Sequence, residues 1–204
     1  MAHMDREGGC PFSIPSAILP PKGVTAIAMD TMQKEKLYNN NHEFTLDDRV
    51  IPDDRQRVRD LVIACGNFCA EDVELAVELV ESYLSQGEKS GYYFLFSRSP
   101  SGSLRGYSCY GPITATDGRF DFYWIAVLPE YQGSGLATYL QVATESAMVR
   151  MGGKRSYLET SSTDGYLAAR KFYTKAGYIH ECSVKDFYRK GDDKCIFVKP
   201  LVQE

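Results

Sequence analysis

The sequence predicts a mixed α/β domain, and three observations carry that prediction. Strand-forming and helix-forming stretches follow one another in the order β-α-α-β-β-β-α-β-α-β-β, and the three consecutive strands in the middle rule out both a doubly wound sheet and a barrel of alternating units. The stretch from Phe120 to Met151 runs from an aromatic and β-branched strand through a glycine-containing loop into a long helix. With 204 residues, 44% of them hydrophobic, the chain has enough apolar material for one sizeable core.

Taken in order, residues 1–42 read as an N-terminal extension, partly disordered. Pro11, Pro15, Pro20 and Pro21 interrupt any regular element there, and residues 1–3, Met1-Ala2-His3, read as a cloning scar ahead of Met4. The folded domain is expected over 43–204. A short strand is expected from Glu43 to Leu46. Pro52-Asp53-Asp54 then opens a helix with Val58, Leu61, Val62 and Cys65 on one face, closed by Gly66. The next helix carries Glu71 and Asp72 in its first turn, where acids suit the positive end of the dipole, and its apolar stripe of Val73, Ala76, Val77, Val80 and Leu84 ends near Gly87. Tyr92 to Phe96 and Leu104 to Tyr110 read as a hairpin, and Asp117-Gly118 turns the chain into the strand Phe120 to Leu128. Leu136, Leu140, Ala143 and Ala147 share a face of the long helix, which Gly152-Gly153 stops. Strand Ser156 to Ser161, helix Gly165 to Ala176, and strands Tyr178 to Tyr188 and Cys195 to Leu201 complete the order.

Composition narrows the function classes. A formal net charge of -4 gives no reason to expect nucleic acid as a partner. The six cysteines show no CxxC pair or regular spacing, which reads as reduced thiols in a cytoplasmic protein, and no metal-ligand set is assigned. No apolar run reaches membrane-spanning length, and the N-terminus lacks a secretory signal pattern, so no membrane partner is expected.

The chemistry is expected at the loop Gln132-Gly133-Ser134-Gly135-Leu136-Ala137, where glycines let the backbone approach a ligand and the unpaired amides of a helix N-terminus face an anion. It is neither a Walker loop nor the dinucleotide fingerprint. It resembles the pyrophosphate-binding loop of the GCN5-related N-acetyltransferases (GNAT), Gln/Arg-x-x-Gly-x-Gly/Ala, filled here by Gln132, Gly135 and Ala137. A second run, Ala169-Arg170-Lys171-Phe172-Tyr173-Thr174-Lys175-Ala176-Gly177-Tyr178, resembles the A-x-x-[LF]-Y-x-x-x-G-[FY] segment of the same enzymes. The resemblance covers about Glu43 to Leu201, and the N-terminal extension lies outside it. The resemblance implies a strongly twisted mixed sheet whose strands Phe120–Leu128 and Ser156–Ser161 splay into a V-shaped cleft, with acetyl-CoA as co-substrate and a primary amine as acceptor. That amine is a peptide N-terminus, a lysine or a small molecule. A homodimer is left open, and a CoA-binding module without catalysis is the alternative.

Site residues follow on the same footing. The resemblance implies that Tyr173 lies beside the CoA sulfur, and a phenol close in strength to a thiol suits it to protonate the departing thiolate. The backbone of Ile125, Ala126 and Val127 is expected to hold the pantetheine arm by strand-like hydrogen bonds, with amides near Val127 facing the oxyanion. Glu159 sits in a strand that should be largely buried, where desolvation would make it a useful base, and it resembles the fifth-strand Glu of the ribosomal-protein and N-terminal amino-group acetyltransferases. Tyr166 stands where those enzymes carry a CoA-contacting Asn. Tyr123 occupies the place of the base Glu of the histone-acetylating members, and Asp121, two residues earlier, is the next carboxylate that could serve. Tyr188, in a segment resembling the hairpin that covers the incoming amine, completes the substrate-binding set with Asp121 and Tyr123. His180 reads as a surface or packing residue.

Overall fold

The structure is a computed structural model in which residues 37–39 and 42–202 are described. The extension expected over 1–42 lies almost wholly outside them. Its last described piece, β1 (Leu37–Asn39), pairs antiparallel with β2 (His42–Phe44). The single strand expected from Glu43 to Leu46 is therefore two: β2 belongs to this small hairpin, while β3 (Leu46–Asp47) starts the main sheet against β4.

The rest follows the expected order: α1 (Asp54–Cys65), α2 (Ala70–Gln86), β4 (Tyr93–Arg98), β5 (Leu104–Pro112), β6 (Arg119–Val127), α3 (Leu136–Arg150), β7 (Arg155–Ser161), α4 (Leu167–Lys175), β8 (Ile179–Arg189) and β9 (Asp192–Pro200). Gly66 ends α1 at φ +73, a left-handed angle that costs a glycine little. Asp54, fully buried at the start of α1, accepts two hydrogen bonds from Arg98, at 2.7 and 2.9 Å, and one from the Ile51 N–H, tying α1 to β4.

Seven strands form one sheet in the order β3-β4-β5-β6-β7-β9-β8, antiparallel except where β6 meets β7. Two apolar cores sandwich it. Val58, Leu61 and Val62 of α1 with Val73, Ala76 and Val80 of α2 pack on Phe94, Phe96 and Tyr107, while Leu136, Leu140 and Met148 of α3 pack on Phe120, Phe122 and Leu158 of the other face. No helix among the described residues is long and apolar enough to cross a membrane.

Two irregularities position the site. The β5–β6 register shifts between Cys109↔Trp124 and Gly111↔Asp121, which places one extra residue on β6. As a result Phe120 and Phe122 face α3, whereas Trp124 and Ala126 face α1 and α2. The second irregularity is a divergence. The parallel β6–β7 pairing covers only Arg119↔Arg155, Phe120↔Ser156 and Asp121↔Tyr157, yet β6 continues to Val127 and β7 to Ser161. Beyond Asp121 and Tyr157 the two strands part, as the splayed pair was expected to do.

Candidate active site

One arm of the V is built from backbone. Leu128 N–H donates to the Arg105 carbonyl at 3.0 Å, beside the pair Gly106↔Val127. In an antiparallel ladder this makes Val127 and Gly106 a non-hydrogen-bonded pair, so the N–H and C=O of Val127, and by the alternation those of Ile125, point away from β5 and into the opening. Ala126 faces the other way and bonds to β5. The Val127 carbonyl accepts the Cys65 thiol at 3.5 Å, which leaves its N–H available to a ligand.

The loop continues this arm. Gly133 and Gly135 have φ of +75° and +90°, angles that side chains rarely adopt, and a Cβ built on Gly133 would meet nothing within 4 Å. The Ser134 hydroxyl donates to the Tyr131 carbonyl at 2.6 Å and accepts from the Leu136 N–H at 3.4 Å, so the turn is braced from inside. Gln132 is exposed and the Leu136 side chain is fully buried, leaving Leu136 to anchor α3 in the core. The N–H groups of Gly133, Gly135 and Ala137 have no acceptor among the described residues. Amides open at the N-terminus of a fifteen-residue helix, next to unobstructed space, fit a pyrophosphate.

The other arm is built from side chains. Asp121, at the last paired position before the strands part, is half-buried; burial pushes its carboxyl up, the nearby Glu159 charge adds to this, and the Tyr123 hydroxyl and Lys194 oppose it. Glu159 is not buried as expected. Its side chain is 48% exposed and its Oε2 lies 2.6 Å from Lys194 Nζ. The reason is strand alternation: Leu158 and Thr160 turn into the core, and Glu159 faces the opening. The Lys194 ammonium also sits 4.0 Å from the centroid of the Phe187 ring. Tyr123 is held protonated by burial and by Asp121, so it does not serve as a base at neutral pH. Tyr188 is close enough to Glu159 for that charge, after burial, to push its phenol up to about 12.

Above these residues Phe68, in the α1–α2 connection, stacks on Trp124 with centroids 5.0 Å apart and meets Tyr166 edge-on at 6.4 Å. The Tyr166 hydroxyl donates to Asp72 at 3.5 Å. Tyr173, on α4, contacts the rings of Phe172, Tyr178 and Phe197, and its own hydroxyl makes no hydrogen bond among the described residues. Burial pushes this phenol up to about 12. It is thus a weaker acid than a thiol of ordinary pKa near 8.5, contrary to the matched strengths expected from the sequence. It remains protonated and able to donate a hydrogen bond. His180 is exposed, bonds to Ser183 at 3.0 Å and packs its ring against Phe197 with centroids 5.2 Å apart, as expected of a surface or packing residue.

Sequence reasoning had placed Asp121, Tyr123, Glu159, Tyr173 and Tyr188 near one cleft, and the structure brings Asp121, Tyr123, Glu159 and Tyr188 together in it. It missed Lys194, Phe68 and Trp124. Only strand order could have found Lys194, because β9 inserts between β7 and β8 and sets Ser161 opposite Lys194.

The sequence pattern of the Acetyltransferase (GNAT) family matches residues 56–178. A crystal structure of a Desulfovibrio desulfuricans protein assigned to the GNAT family superposes with a TM-score of 0.76 at 38% identity, over 78% of this chain and 99% of that one. An aminoglycoside 6'-N-acetyltransferase complexed with coenzyme A superposes with a TM-score of 0.62 at 15% identity, over 78% and 98%. The ribosomal-protein-S18-alanine N-acetyltransferase of Escherichia coli does so with a TM-score of 0.61 at 18% identity, over 79% and 96%. At such identities the last two establish a shared fold. No curated protein matches the chain in sequence.

Proposed function

Because this chain belongs to the GNAT acetyltransferase family, and acetyl-CoA is accordingly its acetyl donor, we propose that it acetylates a primary amine by direct attack within a ternary complex formed in the V between β6 and β7. The observation that carries this reading is the divergence itself, which sets the open amides of Ile125, Val127 and the Gln132–Ala137 loop against a wall of carboxylates and phenols.

The roles follow from chemistry. Ile125 and Val127 hold the pantetheine arm as a partner strand would, and the loop amides hold the pyrophosphate. The Val127 N–H stabilises the thioester carbonyl oxygen as it gains charge. The amine attacks as its free base, so a proton must leave it. Asp121 is the better acceptor of that proton, since Glu159 is ion-paired to Lys194 and half in solvent; Glu159 instead raises the basicity of Asp121 through its charge. The nitrogen bonds to the acetyl carbon, the carbon–sulfur bond breaks, and Tyr173 donates a hydrogen bond to the thiolate that departs. Tyr123, Tyr188 and the Phe68–Trp124 pair line the acceptor side. A peptide N-terminus, a lysine and a small amine all meet these requirements.

Incubation with acetyl-CoA and a panel covering those three acceptor types tests the reading. Thiol release should accompany a mass gain on at least one amine. Tight acetyl-CoA binding with no release across the panel would instead make the fold a CoA-binding module.

A further inference from the structure

Lys194 is a primary amine that already stands on the acceptor side of the cleft. On β9 it lies opposite Ser161 of β7, two residues from the Glu159↔Ile196 pair, so its side chain and that of Glu159 leave the sheet on one face. Leu158, Cys195 and Phe197, which alternate with them, fill the core under α3, so that face is the one turned away from α3. Asp121 leaves the sheet on the same side, since its neighbours Phe120 and Phe122 also turn to α3. Glu159 comes two residues after Tyr157, the last residue of β7 paired with β6, and the ammonium it holds therefore stands in the wall of the opening. That ammonium is 2.6 Å from Glu159 Oε2 and 4.0 Å from the Phe187 ring centroid, and the lysine side chain is only 16% exposed. Lys154 and Lys199 also hold carboxylates, Asp117 at 2.6 Å and Glu145 at 2.7 Å, but outside the cleft: Asp117 lies in the turn before β6 and Glu145 on α3.

We propose that Lys194 is an acetylation site of the protein itself: with acetyl-CoA bound in the V and no acceptor present, its amine takes the acetyl group. The inference rests on the acetyl-transfer reading above. Lysine carries a compact amine on a flexible four-carbon stem, so rotation about that stem turns Nζ from Glu159 toward the gap without moving β9. The Nζ–carbon bond forms as the carbon–sulfur bond breaks. Of the two protons the nitrogen gives up, one passes through Glu159 to solvent and the other ends on the departing sulfur, which Tyr173 meets with its hydrogen bond. At neutral pH an aliphatic amine is mostly charged and cannot attack, so the step is slow beside turnover on a free acceptor, and it stops at one acetyl per chain. The product is a neutral amide that occupies the acceptor side. Glu159 loses its ionic partner, and Asp121 loses a cation that opposes the rise of its pKa. Lys194 is thus a brake set when acetyl-CoA exceeds acceptor.

Incubation of the full chain with acetyl-CoA alone, followed by peptide mass spectrometry, tests this. Lys194 should gain an acetyl group about tenfold or more faster than the exposed Lys89, Lys175 and Lys190. The rate should saturate with acetyl-CoA and be independent of protein concentration, as an intramolecular step is. Gly133→Asp, which weakens acetyl-CoA binding, should lower that rate by about tenfold or more at limiting acetyl-CoA. Lys194→Arg keeps the charge and should abolish the mass gain. Acetylation of Lys194 no faster than that of the exposed lysines, or at a rate linear in acetyl-CoA and unmoved by Gly133→Asp, would overturn the proposal. Lys194 left unmodified in a protein that calorimetry shows to bind acetyl-CoA overturns this proposal alone; failure to bind acetyl-CoA would overturn the acetyl-transfer reading with it.

Discussion

The two arms of the cleft are made of different materials. The β6 arm and its loop present main-chain amides, held in place by the β5 ladder, the Ser134 brace and two left-handed glycines. The β7 arm presents side chains gathered from β6, β7, β8 and β9, each of whose character depends on its neighbours. Backbone amides are fixed in charge and direction, so the first arm suits a ligand that never varies. Side chains can be exchanged one at a time, so the second suits an acceptor that differs from one relative to another.

That contrast predicts where substitutions act, and the largest effect should come from the side-chain arm. Asp121→Asn removes the proposed proton acceptor and should lower turnover by about 10²-fold or more, with acetyl-CoA affinity kept. A carboxylate base works only when deprotonated, so activity of the native protein should fall as pH drops through the raised Asp121 pKa, and the variant should lose that acidic limb. Steady-state rates across pH check both. If Glu159→Gln rather than Asp121→Asn abolishes the limb, the two carboxylates must exchange roles.

Tyr173→Phe should slow turnover by about 10- to 100-fold, less than full proton transfer would be worth, because a phenol at about 12 shares its proton with the thiolate rather than surrendering it. Solvent isotope effects in single turnovers would detect a full transfer if one occurs. On the backbone arm, Gly133→Asp brings a carboxylate beside the pyrophosphate site without a steric clash, and aspartate tolerates the left-handed angle better than most residues. Acetyl-CoA affinity by calorimetry should fall by about tenfold or more while the fold is kept.

The contrast also explains what could be read from the chain. The loop, the helix caps and the strand from Phe120 were legible because each is a local signal: glycine at a forced angle, an amphipathic stripe, an aromatic and β-branched run. Asp121 and Tyr173 were legible as positions, but their acidity was not. Tyr173 is a weaker acid than the sequence suggested because the core formed by Tyr178 and Phe197 surrounds it. Glu159 was misjudged because its environment is made by Lys194, a residue that only the β7–β9 pairing brings near. The strand expected from Glu43 to Leu46 failed for a similar reason, since its two ends are claimed by different partner strands.

The smallest effects should come from retuning that ion pair. Lys194→Met removes a charge that holds the Asp121 carboxyl down, so the acidic limb should move to higher pH; Glu159→Gln removes one that holds it up, so the limb should move lower. Neither should change stability by more than about 1 kcal/mol, because the pair is partly open to solvent.

Amide chemical shifts of the ¹⁵N-labelled protein, recorded during titration with acetyl-CoA and then with an accepted amine, test the division between the arms most directly. Acetyl-CoA should shift the amides of Ile125, Val127, Gly133, Gly135 and Ala137 and leave those of Lys194 and Tyr188 nearly still, with the amine doing the reverse. Acetyl-CoA shifts concentrated on Lys194 and Tyr188, with the Gln132–Ala137 loop unmoved, would contradict the account.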